Sequence, residues 1–123
     1  MRVLVTGSAG HLGEALVRTL ISRHEVVGLD AIGSKFTSVI GTITDRKTLE
    51  RCMDGIDAVL HTATLHKPHI ATHTQQQFID SNVTGTLNLL ETAVEARVSS
   101  FIFTSTTSTF GRALTPSSGK PAR

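Results

Sequence analysis

The feature that most constrains this chain is a trio of glycines, Gly7, Gly10 and Gly13, set between a β-branched apolar run and an amphipathic one. Residues 2–6 (RVLVT) read as a strand, and beyond the glycines Leu12, Ala15, Leu16, Thr19 and Leu20 recur at helical spacing. A strand that passes through a glycine loop into a helix points the free amides of the helix's first turn, and the positive end of its dipole, at whatever lies above the loop. In such a loop Gly7 allows a tight turn, Gly10 a close approach of a pyrophosphate to the backbone, and Gly13 the packing of helix on strand. An ordinary strand-to-helix turn is the alternative that the loop alone leaves open.

Further strand candidates follow at intervals that leave room for helices. Residues 25–29 (EVVGL) lead into Asp30, residues 38–40 form a short run, and residues 58–61 (AVLH) and 101–104 (FIFT) are apolar on consecutive positions. Asp45 stands where a helix N-cap belongs, ahead of Leu49, Cys52 and Met53, with Gly55 as a C-terminal stop. From about Thr74 to Arg97, the residues Ile79, Val83, Leu87, Leu90 and Val94 step by four, four, three and four. That spacing predicts one continuous helix with a single apolar stripe. Strands that are apolar on successive residues and alternate with helices predict an α/β, doubly wound parallel sheet of about five strands, covered on both faces.

The 123 residues suffice for one domain with a modest core. Residues 1–111 are expected to form it, and residues 112–123, polar and proline-bearing, to be a loop or tail leading into further sequence. With 39% hydrophobic and 18% charged residues, the composition excludes collagen, coiled coil and wholesale disorder. No apolar run nears the roughly 20 residues of a membrane span, and no targeting segment is expected. The net charge of +2 is uneven: residues 1–97 carry 9 basic and 10 acidic side chains, whereas Arg112, Lys120 and Arg123 follow with no acid. A basic tail of this size does not make a nucleic-acid binder, so neither nucleic acid nor a membrane is expected as a partner. Cys52 is the one cysteine, which rules out an internal disulfide and suits a reducing cytoplasm. On its helix it reads as a small filler rather than a nucleophile.

Asp30 ends the second strand candidate, 17 residues beyond Gly13. A carboxylate there accepts hydrogen bonds from both ribose hydroxyls of an adenosine and repels a 2′-phosphate, which favours NAD over NADP; simple capping of the strand end is the alternative. Together with AVLHTAT (58–64), SNVTGTLNLLE (81–91) and FIFTSTTSTFG (101–111), these residues resemble the extended short-chain dehydrogenase/reductases, in particular their NAD-dependent epimerase/dehydratase branch. The resemblance runs over nearly the whole chain.

By that resemblance Gly7, Gly10, His11, Leu12 and Gly13 form the phosphate loop, and Asp30 meets the adenosine ribose. Thr42 and Ile43 meet the adenine, Thr62, Ala63, Thr64 and His66 lie along the nicotinamide half, and Asn82 is a structural and cofactor-side residue. Three positions depart from the family pattern. Thr42 offers a hydroxyl where an acid is usual, Thr64 is bulkier than the usual Ala or Gly, and His66 replaces a lysine with a weaker anion partner. Thr106 falls on the hydroxyl residue that meets the substrate oxygen. Eight Ser or Thr among residues 99–109 leave a merely hydroxyl-rich strand end as the alternative. Phe110 stands where a tyrosine is frequent.

Family chemistry uses a tyrosine phenolate as general acid/base, with a lysine four residues on that lowers its pKa and holds the nicotinamide ribose. This sequence contains no tyrosine. The expectation is therefore the cofactor-binding half of an NAD-dependent oxidoreductase acting by hydride transfer on a small-molecule substrate, nucleotide-sugar-like or a related hydroxyl/carbonyl compound. Its acid/base pair would lie beyond Arg123, and the chain would be inactive without it. The resemblance also implies a homodimer built through helices. A noncatalytic NAD-binding sensor or interaction module is the rival from another class. His61, His66, His69 and His73 raise a third reading, a metal site, but Pro68 interrupts the segment and it holds no Cys or carboxylate. No metal is expected there, and a solvated loop on the substrate side is the better reading.

Overall fold

The structure, a computed structural model, describes residues 1–106; Phe110 and the stretch 112–123 lie outside the described residues. Five strands, β1 (Arg2–Thr6), β2 (Glu25–Asp30), β3 (Val39–Ile40), β4 (Ala58–His61) and β5 (Ser100–Phe103), form one parallel sheet in the order β3-β2-β1-β4-β5. This is the doubly wound class expected. The chain steps outward from β1 through β2 to β3, then returns to the other side of β1 for β4 and β5. That reversal opens a crevice above the carboxyl ends of β1 and β4.

Along β1 the side chains alternate between faces, and both faces are covered. On one side Val3 and Val5, with Ala58, pack against Val17, Leu16 and Leu20 of α1 (His11–Leu20). On the other, Leu4, Leu29 and Val59 meet Leu49 and Cys52 of α2 (Arg46–Cys52) and Leu89 and Ala93 of α4 (Thr86–Glu95). Asp45 caps α2 as expected, accepting from the Lys47 N–H at 3.1 Å and the Thr48 hydroxyl at 2.8 Å. The Thr48 bond is the main reason its carboxyl is held below the ordinary carboxylate range. Arg46 ties α2 to α4 through Glu91 at 2.7 Å and Glu95 at 2.6 Å. Cys52 is a buried filler, and burial pushes its thiol up, away from the reactive thiolate.

Two expectations are corrected. The third strand is shorter than expected, Val39–Ile40; Ser38 just before it still donates its N–H to the Gly28 carbonyl at 2.8 Å and accepts the Gly28 N–H on its hydroxyl at 3.1 Å. The single long helix is instead α3 (Gln75–Ile79), a π-helical turn Asp80–Gly85, and α4. Its stripe is also on the outside: Ile79, Val83, Leu87, Leu90 and Val94 are all exposed, Val94 to 77%. The buried side is Gly85, Leu89, Thr92 and Ala93, small enough to bring the helix close to the sheet. A Cβ on Gly85 would lie 2.5 Å from Ile43 Cγ1. No helix among the described residues is long and apolar enough to cross a membrane.

Candidate functional site

Gly7 ends β1 with φ +77°, a backbone conformation that side chains other than glycine's rarely adopt. A Cβ there would lie 2.5 Å from Thr62 Oγ1 and 2.9 Å from the Ala63 nitrogen, so the glycine loop rests directly on the segment that follows β4. Gly10 is the N-cap of α1, with no side-chain capping bond. The first bond of the helix runs from the Glu14 N–H to the Gly10 carbonyl, at 2.9 Å. Among the described residues the N–H groups of His11, Leu12 and Gly13 therefore have no backbone acceptor, and they open toward the crevice.

Asp30 stands at the end of β2 beside that loop. Its Oδ2 accepts from the Ala9 N–H at 2.9 Å and its Oδ1 from the Ile32 N–H at 3.0 Å. The capping role weighed from the sequence is thus real, and each oxygen keeps a further lone pair. Thr42 is turned inward on its own segment: its hydroxyl bonds Thr44 Oγ1 at 2.9 Å and accepts from the Thr44 N–H at 3.2 Å. Ile43 is buried in the core beneath.

The segment after β4 is held from several sides. The Thr6 hydroxyl accepts from the Thr62 and Ala63 N–H groups, both at 3.2 Å, and Thr62 Oγ1 donates to the Thr6 carbonyl at 2.7 Å. Asn82, in the π-helical turn, grips Leu65 twice, accepting from its N–H at 2.7 Å and donating to its carbonyl at 2.8 Å. His66 opens a 3-10 turn (Lys67–Ala71), and its N–H donates to His69 Nδ1 at 3.0 Å. The His66 and His69 rings meet edge to face at 4.6 Å, and His69 meets His73 at 5.4 Å. Among the described residues no group of three His, Cys, Asp or Glu is placed to hold a metal ion.

His61, grouped from the sequence with the histidines of a solvated loop, instead ends β4. It is fully buried, with Nδ1 2.7 Å from Thr6 Oγ1 and Nε2 2.8 Å from Thr86 Oγ1, and its ring packs beside Phe101 and Phe103. The available signal was the pleat: His61 shares a sheet face with Val59, and in a parallel sheet covered on both faces that position is interior. Burial alone pulls its pKa from 6.5 to about 4. Below the ordinary value the unfolded chain takes up a proton that the native chain refuses, so stability falls as pH drops from about 6.5 to about 4 and is unaffected by this group above that window. The loss expected across the window is about 2 to 3 kcal/mol. Urea unfolding at a series of pH values checks it, and a His61→Gln chain should show a flatter acid limb.

Every site residue assigned from the sequence lines one open groove of about 1470 Å³ over the carboxyl ends of β1, β2 and β4, Thr106 included. Thr104 and Ser105 line it as well, so its β5 edge carries three hydroxyls. No lysine or arginine lines it among the described side chains, so its attraction for an anion comes from the amides and dipole of α1. The sequence reading missed Ala9, Ala31 and Ile32, whose backbone borders Asp30 and carries no side-chain signal.

A family model described as the NAD dependent epimerase/dehydratase family matches residues 3–122. The chain belongs to that family. A 3-beta-hydroxysteroid dehydrogenase of Mycolicibacterium neoaurum is 36% identical over 118 residues, covering 87% of this chain and 32% of the relative. A UDP-glucose 4-epimerase of Erwinia amylovora is 34% identical over 129 residues, covering 90% of this chain and 38% of the relative. A solved short-chain dehydrogenase/reductase superfamily protein from Agrobacterium tumefaciens, with bound NAD, superposes with a TM-score of 0.83 at 29% identity, over 100% of this chain and 39% of its own. This epimerase/dehydratase-family chain thus spans about a third of the length of the curated relatives it matches. NAD is the cofactor of the family.

Proposed function

We propose that the chain is the cofactor-binding half of an NAD-dependent epimerase/dehydratase-type oxidoreductase, acting on a nucleotide-sugar-like or related hydroxyl/carbonyl substrate. The observation that carries this reading is the single groove into which the glycine loop, Asp30, the segment after β4 and the end of β5 all open. The residues fit a dinucleotide. His11, Leu12 and Gly13 offer amide donors to a pyrophosphate, the bare Cα of Gly10 lets it approach, and Gly7 seats the loop on Thr62 and Ala63. Asp30 has acceptor capacity for two ribose hydroxyls, and Ile43 forms an apolar wall for an adenine with the Thr42 backbone beside it. Thr62, Ala63 and Thr64 make a floor for the nicotinamide half, His66 and Asn82 border it, and Thr106 offers a hydroxyl to the substrate oxygen.

When bound, NAD supplies a hydride acceptor. The chain's own residues orient and bind, and a tyrosine/lysine pair for proton transfer is proposed from sequence following Arg123, since these residues hold no tyrosine. The second reading, from another class, is a noncatalytic NAD-binding module. Titrating the protein with NAD and NADP tests the shared core of both. Tighter binding of NAD is expected, and no binding, or equal binding, overturns it. In the longer protein, Thr106→Ala should lower turnover on the order of 10²-fold with NAD affinity unchanged. Wild-type turnover would remove Thr106 from the reaction and leave turnover as what separates the two readings.

The exposed stripe on α3 and α4 supports a homodimer, as apolar surface of this extent favours association. Sedimentation at several concentrations should show self-association, and a monomer throughout removes the dimer. The lone buried Cys52 suits a cytoplasmic setting.

A further inference from the structure

The protonation of His61 can be read from its partners. Thr6 Oγ1 accepts from the N–H groups of Thr62 and Ala63, and neither donor can take a proton in return. The one hydroxyl proton of Thr6 is left for His61 Nδ1, 2.7 Å away. With Nδ1 an acceptor, the neutral ring carries its proton on Nε2, where it donates to Thr86 Oγ1 at 2.8 Å. Thr86 begins α4, directly after the π-helical turn from which Asn82 grips Leu65. A closed circuit results. It runs from Thr6 through His61 and Thr86 to Asn82, on to Leu65, and back along the chain to Ala63 and Thr6. The groove floor at Thr62–Leu65 lies inside it, and the glycine loop rests on that floor at Gly7.

We propose that His61, held as the Nε2–H tautomer between Thr6 and Thr86, is a positioning residue that fixes the Thr62–Leu65 floor against the glycine loop and so sets affinity for the nicotinamide half of NAD. This rests on the reading of the groove as an NAD site. Either nitrogen, once lost, strands a buried hydroxyl partner, and a freed Thr6 hydroxyl turns its proton onto another acceptor and holds the Ala63 amide less well, whereas the Thr62 N–H is shared with the Thr6 carbonyl at 3.2 Å. The ring does this without touching the groove, since its side chain lies beneath the floor.

The test uses His61→Phe, which keeps an aromatic ring beside Phe101 and Phe103 but removes both nitrogens, and His61→Gln, whose amide offers one acceptor and one donor. In the wild type, long-range ¹H–¹⁵N correlations of the His61 ring should show the Nε2–H tautomer; Nδ1–H, or an exchanging mixture, overturns the proposal. His61→Phe should speed hydrogen exchange at the Ala63 amide more than at the Thr62 amide, which keeps the Thr6 carbonyl, and weaken NAD binding about tenfold or more, while AMP, held by Asp30 and the loop, binds as before. His61→Gln should recover part of the NAD affinity. Equal losses for AMP and NAD, or unchanged affinity for both, would refute positioning of the nicotinamide side. If His61→Phe does not fold, His61→Gln is read against the same AMP and NAD pair, with a selective loss for NAD smaller than tenfold supporting the proposal and an equal loss refuting it. A wild type that binds neither ligand would sink the reading of the groove, and tautomer and exchange would still decide the clamp.

Discussion

Replacing Gly13 by alanine is expected to leave little or no folded protein. The new Cβ would lie 1.9 Å from the Gly7 carbonyl oxygen, 2.5 Å from the Gly7 carbonyl carbon and 3.0 Å from Ser8 Cα. All three are backbone atoms, so no side-chain rotation relieves the contact. Either α1 lifts from the sheet, uncovering Val17 and the apolar face of β1, or the glycine loop moves and loses the Gly7 and Ser8 bonds to the Leu29 carbonyl. Overpacking usually costs about 1 to 3 kcal/mol when side chains can yield; against backbone a loss above about 4 kcal/mol is expected, much of the stability of a domain this size. Soluble yield and thermal unfolding by circular dichroism check it. Gly10→Ala is the internal control, because its Cβ would come no closer than 3.2 Å to a neighbour. A Gly13→Ala protein melting with the wild type would show that the helix has room the structure denies it.

Asp30→Ala should weaken NAD on the order of 10²-fold, the loss of charge-assisted bonds to two hydroxyls, and should erase most of the preference for NAD over NADP. The carboxylate is oriented beforehand, because the Ala9 and Ile32 amides each occupy one lone pair and leave the others directed to the groove. The substitution also frees the Ala9 amide and loosens the loop, which lowers affinity for both dinucleotides alike. The ratio of the two affinities is therefore the quantity to measure. Asp30→Asn separates the effects: it retains an acceptor for one amide, loses the charge, and should relax the discrimination with a smaller loss of NAD binding. A ratio unchanged by both variants would place the adenosine ribose elsewhere.

What could be read from the residues follows from the range of the forces involved. β1, the glycine loop and α1 are contiguous, and each glycine has a local steric reason, so a stretch of 20 residues sufficed to read them. Asp30 was legible because β2 pairs with β1 in register, bringing its end beside the loop. The long helix was misjudged for two physical causes. The π-helical turn shifts the phase of the spiral by part of a residue's rotation, and periodicity detects an apolar face without saying what covers it. Here the sheet takes the side carrying Gly85, Leu89, Thr92 and Ala93, on which Leu89 is the one large apolar residue and makes no stripe by itself. The buried role of His61 was not legible because its partners, Thr6 and Thr86, stand 55 and 25 residues away and a single imidazole makes no pattern.

The placement of β1 also bears on how the chain is made. Thr6 pairs with Leu29 on one side and with His61 on the other, so of the five described strands the earliest in the chain is the middle one. It can gain one neighbour early, but its second edge stays open until residue 61 has emerged. Throughout that interval an apolar strand of five residues presents unpaired amides and carbonyls to any other chain within reach. Slowing synthesis between β2 and β4 should therefore lower the yield of native protein more than the same delay after β4, when both edges of β1 are closed.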